Sequence, residues 1–127
     1  MTLRHLFISV LAIACSSNLF AQEKTQLVRL AKLVIDSTQL ESYHAFLKEQ
    51  IEASLKNERG VLTLYAVSEK KRPTHITILE IYASNEAYKK HIQTAHFLKY
   101  KNRTSEMVKS LELIETIPLL PKVKIKQ

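Results

Sequence analysis

One glycine, one cysteine and no tryptophan are what this chain of 127 residues has least of, and each scarcity excludes something. A phosphate-cradling loop needs several glycines to bring backbone N–H groups onto the phosphates. With Gly60 alone, neither a P-loop nor a dinucleotide fingerprint can be written. Binding of NAD, FAD or ATP by those routes is therefore excluded. The single cysteine, Cys15, lies in the opening stretch MTLRHLFISVLAIACSSNLFAQ. That stretch has a basic start (Arg4, His5), an apolar run from Leu6 to Ala14, and small polar residues before Leu19-Phe20-Ala21. The pattern predicts a secretory signal peptide over residues 1–21, cut after Ala21. Its apolar run is shorter than the roughly 20 residues of a membrane-spanning helix. A buried N-terminal helix and a lipid anchor on Cys15 are the alternatives. The latter is the poorer match, because Ala12 stands where a Leu is usual. Cleavage leaves residues 22–127 as one exported domain, periplasmic or secreted. That domain has no cysteine, hence no disulfide, thiolate nucleophile or cysteine-held metal. A core of this size gains from a partner subunit.

The formal net charge is +7. Such a balance suits nucleic acid or an anionic membrane only when the charges cluster. Here the lysines are scattered and no nucleic-acid motif accompanies them. They read as solvated surface, and neither nucleic acid nor a membrane span is expected.

Residues 26–36 (QLVRLAKLVID) are aliphatic and β-branched and predict a first strand. Ser37 and Thr38 offer N-caps. Leu40, His44, Leu47, Ile51 and Leu55 then recur at helical spacing. That helix is expected to stop near Gly60 in a left-handed conformation. Residues 61–68 and 74–83 predict a hairpin turning through the charged EKKRP segment. On its second strand Ile76, Ile78, Glu80 and Tyr82 share one face, since side chains alternate. Ser84 is placed to cap a second helix, with Glu86 just inside it. Helical pattern continues through 110, bent near 93–96, and 111–120 predicts a fourth strand. The order β-α-β-β-α-β is the ferredoxin-like α+β arrangement. Helices on one face of an antiparallel sheet leave the other face apolar, which predicts a homodimer.

Within the second helix, HIQTAHFLKY (91–100) concentrates two histidines and two aromatics. His91 and His96 are five residues apart, about 140° around a continuous helix, too far to chelate one ion. A bend at Thr94-Ala95 would bring them closer, but no third ligand is evident, so no metal is expected.

The run Glu80-Ile81-Tyr82-Ala83-Ser84-Asn85-Glu86-Ala87-Tyr88, followed by His91, Thr94, His96 and Phe97, resembles the signature of the antibiotic biosynthesis monooxygenase domain. Members similar to quinol monooxygenases carry nearly the same run over 91–100, and Glu58-x-Gly60 fits the entry to the second strand. The resemblance covers about residues 27–118. It implies a dimeric α+β barrel with a pocket between each sheet and its own helices. It also implies oxygenation of a quinol or other phenolic compound by O₂ with no cofactor, neither flavin nor metal. Arg59 stands where the family often has Pro, and Tyr82 where it usually has Trp. Haem-degrading relatives use an Asn on the first strand with a Trp and a His. Gln26 and Arg29 occupy that strand here, so haem breakdown is not expected, while haem binding through His91 stays open.

Oxygenation without a cofactor requires removal of a phenolic proton, a task for a base that titrates near neutrality. His91 is the first candidate. Tyr82 would hydrogen-bond or stack on the substrate, and Glu80 would orient an imidazole or take a proton. His96, His44, Tyr65 and Phe97 are candidates for lining the substrate pocket. Each has a structural alternative. His91 and His44 suit hydrogen-bonded core histidines, Tyr82 a core aromatic, Glu80 an anchor for the strand end, and His96 a cap at the bend. The leading expectation is a cofactor-independent quinol or phenol monooxygenase. The alternatives are a non-catalytic dimeric module binding a small aromatic or haem-like ligand, and a structural dimer with a filled pocket.

Overall fold

The computed structural model describes residues 25–120. The expected signal peptide at 1–21 lies outside the described residues. Four strands, β1 (Leu27–Ile35), β2 (Val61–Ser68), β3 (His75–Tyr82) and β4 (Val108–Thr116), form one sheet in the order β2-β3-β1-β4. Every neighbouring pair is antiparallel. Helices α1 (Leu40–Asn57), α2 (Asn85–His91) and α3 (Ala95–Thr104) complete the expected ferredoxin-like α+β fold. Among the described residues, no helix is long and apolar enough to cross a membrane.

The strand period of two sorts the faces. Arg29, Ala31, Leu33 and Ile35 of β1 are buried on the helix side, and Ile76, Ile78 and Tyr82 of β3 join them. Tyr43 and Leu47 of α1 close this core from above. Tyr43 and Tyr100 meet hydroxyl to hydroxyl at 2.7 Å, tying α1 to α3. Burial, first of all, pushes both phenols above their ordinary range.

Four local expectations are corrected. Ser37 and Thr38 do not cap α1. They lie in a 3-10 turn capped by Asp36, whose Oδ1 accepts from the backbone N (2.9 Å) and hydroxyl (2.7 Å) of Thr38. A carboxylate one residue upstream takes the orphan N–H first. Ser84 does cap α2, accepting from the Ala87 N–H at 3.1 Å.

The buried stripe of α1 is Tyr43, Leu47, Gln50 and Ser54, while His44 and Leu55 are exposed. Two polar residues hold the inner face because they have partners there: the Gln50 amide donates to Ser54 Oγ and meets His91. Helical pattern also ends earlier than expected. After α3 a 3-10 turn (Ser105–Met107) delivers Val108 to the sheet opposite Ile35, so β4 begins three residues before 111 and stops at Thr116.

Gly60, finally, is not left-handed: no described glycine has a positive φ. A Cβ there would sit 2.6 Å from the Cβ of Ala87. The glycine is needed for close approach, since the first turn of α2 lies directly on the entry to β2. The Ala83 N–H donating to Gly60 O at 2.8 Å fixes that approach. Gly60→Ala is therefore expected to cost about 1–3 kcal/mol through overpacking. Chemical denaturation of the two proteins at equal slope checks the figure, and an unchanged midpoint would mean that α2 slides away freely.

Candidate active site

Between the helix-side face of the sheet and helices α1 and α3 lies a cavity of about 520 Å³. That is within the usual range for small-molecule sites, roughly 300–1,000 Å³. Its walls are mainly aliphatic and aromatic, with Arg29, Glu80, Gln50 and His91 as polar points. Exposed lining residues Lys101, Lys109 and Leu111 put the mouth between α3 and β4. Leu111 and Leu113 belong to the helix-side face of β4, yet are about half exposed, because no helix covers that edge.

His91 is the last residue of α2 and is 1% exposed. Its ring is packed by Tyr82 (centroids 5.4 Å apart) and Phe97 (5.0 Å). Both ring nitrogens are engaged. Nδ1 lies 2.9 Å from Glu58 Oε2, and Nε2 lies 3.2 Å from the Gln50 amide nitrogen. A carboxylate has no proton to give, so Nδ1 carries the hydrogen and donates it. Gln50 N–H then points at a lone pair on Nε2. This is the arrangement of a carboxylate-oriented imidazole whose basic nitrogen, on the side of the cavity-lining Gln50, accepts only an amide N–H.

Glu58 sits immediately after α1, its backbone N–H donating to Ser54 O at 2.9 Å. Its Oε2 accepts a second imidazole N–H, from His96 Nε2 at 2.7 Å. Burial raises this carboxyl, but the hydrogen bonds from His96 and His91 outweigh it and hold the group below its ordinary range. The two histidines reach one oxygen because the helix is broken between them. Thr94 Oγ1 donates to His91 O (2.7 Å) and accepts the Phe97 N–H (3.3 Å), so that one side chain both closes α2 at His91 and caps α3 at Ala95, across the three residues 92–94. The bend near 93–96 is real, and it is sharper than a kink.

Glu80 and Tyr82 serve a different cluster. Arg29 Nε (3.2 Å) and Nη2 (3.0 Å) donate to Glu80 Oε2, and the Tyr82 hydroxyl donates to the same atom at 3.2 Å. Arg29 also stacks on the ring of Tyr88, with Cζ 4.1 Å from the centroid. Burial raises the Tyr82 phenol, and the Glu80 charge raises it further. Tyr82 is therefore a neutral donor at physiological pH. Glu80, expected to orient an imidazole, instead neutralises a buried guanidinium. The imidazole partner is Glu58, 33 residues before His91.

The remaining expected site residues divide. Phe97 lines the cavity. His96 faces Glu58 rather than the cavity. His44 is exposed on the flank of α1, and Tyr65, 66% exposed, pairs with Leu79; the two border a shallow surface depression between α1 and β2. Neither reaches the cavity, because each stands one position out of phase with the inward side of its element. Residues that the sequence reading passed over are Arg29, Gln50, Glu58 and Tyr88. Glu58 had one signal, its place in Glu58-x-Gly60, and Tyr88 another, as the last residue of the Glu80 to Tyr88 run; Arg29 had only its strand phase with Ala31 and Leu33, and Gln50, off the expected stripe of α1, had none.

Comparison with known proteins follows the same outline. The family profile for the antibiotic biosynthesis monooxygenases matches residues 27–103. A candidate antibiotic biosynthesis monooxygenase from Bacteroides thetaiotaomicron is similar in structure, with a TM-score of 0.80 and 57% identity. The match spans 80% of this chain and 97% of that one. A candidate monooxygenase from Lactobacillus acidophilus superposes with a TM-score of 0.72 at 26% identity, over 76% of this chain but 45% of that one. A Nitrosomonas europaea protein shares the fold at 18% identity (TM-score 0.71; 76% of this chain, 92% of that one). No curated protein matches. The fold, the profile over 27–103 and the 57% identity agree: this chain belongs to the antibiotic biosynthesis monooxygenase family.

Proposed function

We propose that the protein is a cofactor-independent monooxygenase acting with O₂ on a quinol or other phenolic small molecule, with His91 as its base. The observation that carries this reading is the orientation of His91. Its ring is buried, one nitrogen is anchored on Glu58, and the other faces Gln50 at the wall of a largely apolar cavity.

The chemistry follows from that geometry. A phenol in the cavity gives its proton to His91 Nε2, where Gln50 N–H sits in the unliganded protein. The resulting phenolate is electron-rich enough to pass one electron to O₂, giving a phenoxyl radical and superoxide. Their recombination forms a C–O bond at a ring carbon, leaving a peroxide anion to which His91 returns its proton, giving a hydroperoxide. The O–O bond then breaks as that carbon loses its hydrogen, leaving a ring carbonyl and water. One oxygen atom is in the oxidised product and the other in water, and all electrons come from the substrate. Apolar walls shield the radical pair, and Tyr82 and Tyr88 present rings against which a flat substrate can pack.

The half-buried outer face of the sheet, with Leu30, Leu79, Ile81 and Ile114, suits pairing with a second copy. A homodimer exported from the cytoplasm by a leader cut after Ala21 completes the proposal. An enzyme outside the cytoplasm benefits from needing no NADPH.

The test is O₂ uptake by the purified protein with a panel of reduced quinols and polyphenols. Consumption above the autoxidation blank, with one labelled oxygen atom from O₂ in the product, is expected. Uptake equal to the blank from a folded protein would replace this reading with a binding module.

A further inference from the structure

Behind His91, on the side away from the cavity, three ligand atoms converge that the proposed oxygenation does not require together. His91 Nδ1, His96 Nε2 and a Glu58 carboxylate oxygen all lie within 4.8 Å of one another. The cavity is lined by His91 and Gln50 but by neither Glu58 nor His96, so this cluster is a separate place in the fold. We propose that Glu58, His91 and His96 form a binding site for one divalent transition-metal ion of the zinc type.

Donor chemistry selects the class of ion. Two imidazole nitrogens and one carboxylate oxygen suit zinc, cobalt(II) or iron(II), whereas calcium and magnesium prefer oxygen alone. Three protein ligands leave a fourth position for water, the open form of such sites. The geometry is close to what an ion needs. Bonds of about 2.0–2.2 Å from one centre separate neighbouring ligands by somewhat more than 3 Å. Here Glu58 Oε2 stands 2.9 Å and 2.7 Å from the two nitrogens, drawn in by the ring protons that an ion would displace. Small side-chain rotations open the space.

Access and support are both present. The side chain of His96 is 22% exposed and that of Glu58 12%, whereas that of His91 is 2% exposed, giving a site with one buried wall and an entrance. The break at Thr94 is what converts a helical spacing of five, useless for chelation, into a converging pair. Behind the ligands, Gln50 supplies an outer partner for His91. With an ion on Nδ1, the ring proton moves to Nε2. The Gln50 amide then turns over, so that its oxygen accepts from Nε2 and from the Ser54 hydroxyl. Metal-bound histidines usually have such a partner on the second nitrogen.

Occupancy has a consequence that rests on the proposed function. An imidazole holding an ion at Nδ1 carries its proton at Nε2 and has no lone pair toward the cavity. The same ring serves the ion or the phenol, not both, and a bound ion stops the oxygenation.

Cobalt(II) gives a direct readout. The purified protein, freed of metal by a chelator, is titrated with cobalt(II) and its visible d–d absorption followed. One equivalent per chain is expected to produce the bands of a low-coordinate site, and zinc to bleach them. Removing an outer partner alone costs such sites about 10- to 100-fold in affinity. His96→Ala and Glu58→Gln, which remove ligands, are expected to weaken binding at least that much. Absence of the bands in the wild type, or bands that survive in both folded variants, would overturn the site. The absorbance reports the ion and not turnover, so a protein that oxidised no quinol would still answer the question.

Discussion

His91→Ala and His91→Gln are expected to lose O₂ uptake by about 10²- to 10⁴-fold, the range in which a positioned general base contributes. Two variants are needed. Alanine removes a buried ring packed against Tyr82 and Phe97 and leaves Gln50 and Glu58 without it. Some loss of stability accompanies that change. Glutamine keeps a hydrogen-bonding side chain in the same space and separates loss of the base from loss of folding. His44→Ala is the control, since that histidine is exposed on α1 away from the cavity. Its uptake should match the wild type. The measurement is the initial rate of O₂ consumption at saturating quinol, on proteins whose unfolding transitions have been recorded. Full activity in folded His91→Gln would remove His91 from the chemistry. Gln50, Glu80 and Arg29 would then be the polar groups at the cavity wall to examine.

The second large effect concerns stability rather than rate. Glu80→Gln is expected to cost about 3 kcal/mol, the lower end of what is found when one partner of a buried ion pair is removed. The side chains of Arg29 and Glu80 are 8% and 13% exposed, and Glu80 Oε2 accepts three hydrogen bonds. Without the charge, the guanidinium keeps its stacking on Tyr88 but loses its counter-ion in a site that opens on the cavity. That access is the reason for taking the lower end. For a domain of this size about 1 kcal/mol corresponds to roughly 4–8 °C in Tm. A fall of about 12 °C or more is therefore expected in a thermal scan. Replacing both residues, Arg29→Met with Glu80→Leu, should recover part of it, because an apolar pair needs no counter-ion, while the buried Tyr82 hydroxyl still loses its acceptor. A scan in which Glu80→Gln melts with the wild type would show that the pair is solvated well enough to do without its charge.

The cavity and the imidazole site are coupled through one side chain. Gln50, on the inner stripe of α1, touches His91 Nε2 and Ser54 Oγ. In the proposed reaction it is the residue that a phenol has to displace or join. Its burial also explains why the inward face of α1 was misjudged from spacing. Leu55 and His44 complete a regular stripe with Leu47 and Ile51, and a stripe of that kind is the ordinary signal of an inward face. The observed face instead runs through Tyr43, Gln50 and Ser54. Polar residues enter a core when their partners are already there: Gln50 has Ser54 one turn along the same helix, and His91 of α2, far along the chain.

How much was readable in advance therefore depended on range. Element order was legible because helix and strand periodicities are written in neighbouring residues, and so was the capping of α2 by Ser84. His91 could be singled out because it stands in a recognisable run with Thr94 and His96. The early start of β4 was not legible, since Val108 to Ser110 join the strand only through pairing with β1. Gly60 was recognised as special for the wrong reason: its backbone is ordinary, and the constraint is the Cβ of Ala87 across a contact between elements.

By itself, then, the sequence determined the β-α-β-β-α-β order, the scarcity of glycine that rules out phosphate loops, and the aromatic, histidine-bearing helix region. All of these rest on residue type and local spacing. Only the tertiary structure decided which carboxylate serves which base. Glu80 and Glu58 are both acidic residues beside the family motif, and nothing local separates them. Their roles are set by what folds against them. Arg29 on the neighbouring strand claims Glu80, in register across β1 and β3. The end of α1 meets the break between α2 and α3, which gives Glu58 to two imidazoles at once. A carboxylate takes the strongest donors within about 3 Å, and which donors come that close is a property of the packed chain.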